Sequence, residues 1–99
     1  MPQPTWPPGP TLRRHYQDHG RKFPFTSIRD YEDSSIETTQ VGVEFTYTDD
    51  ATGRQRIGYY DRASNRFTAV SADRRRILTH FPPDHGERYV EDLTDSTYS

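Results

Sequence analysis

At 99 residues the chain is the size of one small domain, and with only 29% hydrophobic residues its core must be thin and lean on seven Tyr, five Phe and one Trp. The absence of cysteine excludes disulfides, thiolate catalysis and cysteine-type zinc sites, and no run of about 18 apolar residues is present to cross a membrane. A net charge of −2 argues against nucleic-acid binding through bulk charge, so any such function has to rest on where the charges lie.

In chain order, residues 1–10 hold five prolines and read as an extended, disordered leader or linker, on which Trp6 either dangles or docks. Residues 11–95 read as the domain and 96–99 as a tail. Thr11 is a suitable N-cap for a short helix that ends near Gly20, with Leu12 and Tyr16 four apart on one face. A second helix begins at Thr26 or Ser27, where Ser27 and Asp30 have capping-box spacing. Ser34, Ser35, Thr38 and Thr39 are poor helix formers, and the helix is expected to fade by Glu37.

Val41, Val43, Phe45 and Tyr47 then alternate with small or polar residues, the period of a half-buried strand. A turn at residues 49–53 leads to a strand from Arg54 to Tyr60, with Ile57 and Tyr59 on one face. A turn at 61–65 leads to a strand from Arg66 to Ser71, with Phe67 and Ala69 expected on that same face. After a third turn at 72–75, Arg76 to Phe81 forms a fourth strand that Pro82 and Pro83 end. Arg88 to Val90 is expected to add a short edge strand. Short hairpins imply an antiparallel meander, so the class is α+β, with one or two N-terminal helices packed on one face of a four-stranded sheet.

Charge alternates in blocks. Residues 13–29 carry Arg13, Arg14, Arg21, Lys22 and Arg29 against Asp18 alone, and residues 30–50 carry seven acids and no base. Residues 54–81 return to seven arginines against two aspartates, and 84–99 hold five acids against Arg88. Folding could gather the two basic blocks into one electropositive face; a mixed-charge surface is the alternative. Arginine's planar fork suits phosphate.

Among the four histidines, His15 and His19 share a helix face at i, i+4. That spacing can bind a metal, but no further ligand lies at a matching spacing, so no metal is expected. His19 sits beside Arg21 and Lys22, and neighbouring cations disfavour its charged form, as a general base requires. Thr79 and His80 on the last strand point to opposite faces. Only one of them can share a face with His19, and periodicity does not decide which. Metal-free RNA cleavage needs a base for the 2′-hydroxyl, an acid for the leaving oxygen and cations for the phosphate, and the two basic blocks supply these residue types. Arg21, Arg66 and Arg76 would join Lys22 on the substrate, and Tyr59 or Tyr60 would stack on a base.

Four segments carry a resemblance: His19-Gly-Arg-Lys-Phe23, Arg56-Ile-Gly-Tyr-Tyr-Asp61, Asn65-Arg-Phe-Thr-Ala-Val70 and Ile77-Leu-Thr-His-Phe81. Over roughly residues 15–90 the chain resembles the small cytotoxic ribonucleases that include the colicin D nuclease domain and the tips of contact-dependent and polymorphic bacterial toxins, within the barnase, colicin and RelE-like fold group. It departs from their pattern at Arg62, where the turn usually has proline. The resemblance implies N-terminal helices before a four-stranded antiparallel sheet, His19 as general base or acid, Arg56 and Lys22 at the phosphate, and Thr79 in the site. It also implies an RNA substrate with tRNA among the candidates, no cofactor, an acidic cognate inhibitor, and a cytoplasmic site of action reached by delivery or secretion. A non-catalytic RNA- or protein-binding module on the same fold stays open, as does a domain whose strand edge pairs with a partner.

Overall fold

The computed structural model describes residues 3–23 and 27–98, without the side chains of Arg21 and of residues 95–98. Two helices, α1 (Thr11–His19) and α2 (Ile28–Val41), precede four strands, β1 (Val43–Thr48), β2 (Gln55–Asp61), β3 (Arg66–Ser71) and β4 (Ile77–Phe81), and a third helix, α3 (Glu87–Tyr98), ends the fold. The strands form one antiparallel meander in the order β1-β2-β3-β4. This is the α+β architecture expected.

Its layers differ from the expectation in one respect. Residues 88–90 lie in α3, not in an edge strand. Tyr89 and Leu93, four apart, lay one stripe with Val90 against Phe45, Phe67 and Phe81. On the opposite face Tyr31 of α2 joins Trp6, Phe23, Ile57, Tyr59, Val70 and Ile77. Both faces of the central strands are therefore covered, and every residue from Ile57 to Tyr60 and from Phe67 to Val70 is buried. The register sets the faces: Ile57 pairs with Val70 and Tyr60 with Phe67. Phe67 and Ala69 thus turn to the α3 side, away from Ile57 and Tyr59 rather than with them.

Helix α2 runs four residues past the expected end. Ser27 caps it by accepting from the Asp30 N–H at 3.2 Å. Ser34, Ser35 and Thr38 are buried on its sheet side, and the Thr38 and Thr39 hydroxyls donate back to the Ser34 and Ile36 carbonyls. Tertiary packing of a small-residue face outweighs weak propensity here. Gly42 then joins α2 to β1 in a single residue. A Cβ there would lie 2.7 Å from the Thr38 carbonyl and 3.0 Å from the Tyr60 nitrogen, so no side chain fits.

Thr11 is the first residue of α1 rather than its cap, the cap position being Pro10, which offers no side-chain acceptor. Gly20 is the C-cap of α1, as expected, in a right-handed conformation that leads into a 3₁₀ turn (Gly20–Lys22). Its role is clearance, because a Cβ would meet the Tyr16 ring at 2.6 Å. Part of the proline-rich segment belongs to the fold. Thr5 exchanges backbone bonds with Arg75 and Ile77, forming a parallel bridge beside β4, and Trp6 is buried with its indole N–H donating to Ser35 Oγ at 2.9 Å. No helix among the described residues is long and apolar enough to cross a membrane.

Candidate active site

Helix α1 lies along the outer edge of β4, and this places the chemistry. The Thr79 hydroxyl sits 3.3 Å from His15 Nδ1. The His15 and His19 rings are 5.7 Å apart, and His19 packs on Phe81 at 5.3 Å. Burial lowers the pKa of His15, and the positive fields of His19, Arg14 and Arg56 lower it further against the opposing field of Asp18. Burial and Lys22 lower that of His19, again against Asp18. Both rings are held toward the neutral form, in which a nitrogen can accept a proton. The Nδ1 of His19 is shielded from solvent and has no hydrogen-bond partner among the described residues.

Arg56 stands on β2, on the α3 side of the sheet, and is half-buried. It pairs with Asp49 at 3.6 Å and hydrogen-bonds Tyr47. Burial pushes the Tyr47 phenol up to about 12, so it stays protonated and able to donate. Tyr89 of α3 feels both Arg56 and Asp49, and burial raises its pKa as well. Thr79, His15 and His19 therefore make one cluster, and Arg56 reaches it from β2 only through its weak positive field on His15. Of the residues expected in a site, Thr79 and His19 flank His15 and Lys22 is exposed beside His19, while Arg56 stands two strands away on β2. His15 itself is not among those expected. Its i, i+4 spacing from His19 was the signal, read only as a metal motif. Among the described residues no three metal-ligating side chains come together.

The other expected site residues lie elsewhere, for identifiable reasons. A β-bulge in β4 pairs Ala69 with Thr79 but Val70 with Ile77, so Leu78 has no partner and the alternation slips by one. Ile77 and His80 both turn to the α2 side, and His80 is fully buried. Its ring stacks on Phe23 at 4.9 Å. Nδ1 lies 3.0 Å from the Phe67 carbonyl, which can only accept, so Nδ1 carries the hydrogen and Nε2 accepts from Ser34 Oγ at 2.9 Å. Ser34 in turn accepts from Arg66 at 3.1 Å. Burial above all lowers the His80 pKa to about 3. It is a neutral histidine with no exposed surface.

Arg66 is engaged by Glu37 at 2.7 Å, Asp61 at 3.3 Å and Ser34, at the other end of the sheet from the β1–β2 turn. Tyr59 and Tyr60 are buried, their hydroxyls donating to Glu44 and to Asn65, so neither ring is open to stack on a base. Arg76 is exposed at the start of β4, beside the Thr5 bridge and away from the histidines. The Arg21 side chain lies outside the described residues. Arg74 pairs with Glu44 and Arg62 with Glu87. Four of the seven arginines of residues 54–81, Arg56, Arg62, Arg66 and Arg74, are thus ion-paired with carboxylates among the described residues. No protein-family model matches the chain, and no curated protein is a significant match to its sequence.

Proposed function

We propose that this chain is an endoribonuclease of the toxin type that cleaves RNA by acid–base transesterification, without needing a metal ion. The His15–His19 pair beside Thr79 on the β4 edge, with the field of Arg56 reaching His15 from β2, is the observation that carries this reading. One neutral imidazole takes the proton of the 2′-hydroxyl as its oxygen attacks phosphorus. The bond to the 5′-oxygen breaks, and the other histidine, as imidazolium, protonates that leaving oxygen. The two rings repel each other's charge, which favours the singly protonated pair that this division of labour requires. Arg56, with the Tyr47 phenol beside it, would stabilise charge on the phosphoryl oxygens. The Thr79 hydroxyl orients the His15 ring.

A second reading, a binding module without catalysis, draws its support from the ion-paired arginines and the buried tyrosines. One experiment separates the two. Purified protein is incubated with total cellular RNA in EDTA, beside His19→Ala and His15→Ala. Discrete cleavage by the wild type, lowered about 10²-fold or more in each variant, is expected of the nuclease. Intact RNA with folded wild-type protein would favour the binding module.

A further inference from the structure

The β1–β2 turn (residues 49–54) and the β3–β4 turn (residues 72–76) lie at the same end of the meander. Between them opens a cleft of about 670 Å³ that shares only Arg56 with the acid–base residues. Ligand pockets commonly run about 300–1,000 Å³, so a nucleoside fits. Its lining is mixed in a particular way. Leu78 gives an apolar wall, Arg54 and Arg56 supply positive charge, and Ser71 and Asp73 supply polar groups. The bulge explains the wall, because unpaired Leu78 lines the cleft while the next residue, Thr79, meets His15. Arg56 spans the same junction from β2, lining the cleft and acting on His15. The cleft therefore lies one residue along β4 from Thr79, the residue that meets His15.

We propose that this cleft is a nucleoside subsite, which seats the base next to the scissile phosphate against Leu78 and selects among bases through Asp73. The proposal rests on the nuclease reading for its place in catalysis, but not for the binding itself. Asp73 is suited to selection. Its Oδ1 accepts from both Ser71 Oγ and the Arg75 N–H, holding the carboxylate in place, and no hydrogen bond uses Oδ2 among the described residues. That oxygen is left to accept from an N–H on a base edge. Arg54 is exposed at the mouth and not ion-paired among the described residues, so a phosphate can reach it.

Backbone amide shifts of the whole chain, titrated separately with the four nucleoside 3′-monophosphates and with inorganic phosphate, test this. The expected result is movement of the amides at 54–56, 71–73 and 78 with nucleotides, at least tenfold tighter than with phosphate alone. Asp73→Asn keeps an oxygen for Ser71 and Arg75 and so keeps the turn. It should change the ranking of the four nucleotides by about tenfold. Leu78→Ser should weaken all four while leaving phosphate unchanged. No movement, movement equal with inorganic phosphate, or an unchanged ranking in Asp73→Asn would overturn the subsite. The RNA incubation above keeps the two readings apart. Cut RNA without nucleotide shifts leaves the nuclease standing and removes the subsite; shifts with uncut RNA do the reverse.

Discussion

At the scale of single residues, histidines in two environments titrate with opposite consequences. His15 and His19 are both lowered from their ordinary value near 6.5. If one must be neutral and the other charged, kcat/KM for RNA follows a bell whose limbs are the two apparent pKa values of the free enzyme's pair. With both lowered, the optimum is expected on the acid side of about pH 6.5, and replacing either histidine by Ala should remove the bell. His80 acts on stability instead. Its folded pKa is about 3, against an unfolded value near 6.5. Between those values the unfolded chain binds a proton that the folded protein refuses. The stabilisation is full above about pH 6.5 and is lost as pH falls toward 3, at up to about 1.4 kcal/mol per unit. Urea unfolding across that range checks it. His15 and His19 contribute with the same sign, so the measure is the difference from His80→Gln, which should have the shallower slope.

At the scale of elements, the α2–β1 junction gives the sharpest structural prediction. Gly42→Ala places a methyl against the backbone of Thr38 and Tyr60, which cannot swing aside, and should destabilise by about 1–3 kcal/mol in denaturant unfolding. Gly58→Ala meets the Phe45 ring first, a side chain that can turn, and is expected to cost less. The same contrast between backbone and side chain marks what could be read from the sequence. The strands were legible because alternation and turn residues speak through local geometry; Ser27–Asp30 was legible because capping is local too. The length of α2 was not, since it depends on where Ser34, Ser35 and Thr38 find the sheet. The helical nature of residues 87–98 was present in the Tyr89–Leu93 spacing but hidden by the β-forming Tyr-Val pair. Catalytic candidates divided in the same way. Residue type and resemblance single out His19, Arg56 and Thr79, of which His19 and Thr79 lie about His15 and Arg56 stands two strands away. His80, Tyr59 and Tyr60 were named on chemistry alone, and a one-residue bulge and a two-sided core took them out of reach.

At the scale of the whole molecule, the acidic and basic blocks prove to be partners in folding more than a signal to a ligand. Glu37 meets Arg66, Glu44 meets Arg74, and Asp49 meets Arg56, each an acid from residues 30–50 answering an arginine from 54–81. The N-terminal segment closes the arrangement by seating Trp6 between α2 and the candidate site. Its indole holds Ser35 on one side and lies 5.4 Å from the His15 ring on the other. Because the chain has one tryptophan, that contact is also an optical gauge. Imidazolium quenches indole emission more strongly than imidazole does. The intrinsic fluorescence of the native protein should therefore dim as pH falls through the lowered pKa of His15, and His15→Ala should abolish that transition. A curve unchanged in His15→Ala would show that the emission does not follow this ring. Where the gauge holds, ligand arriving at the site can be followed by light, in real time and without any label.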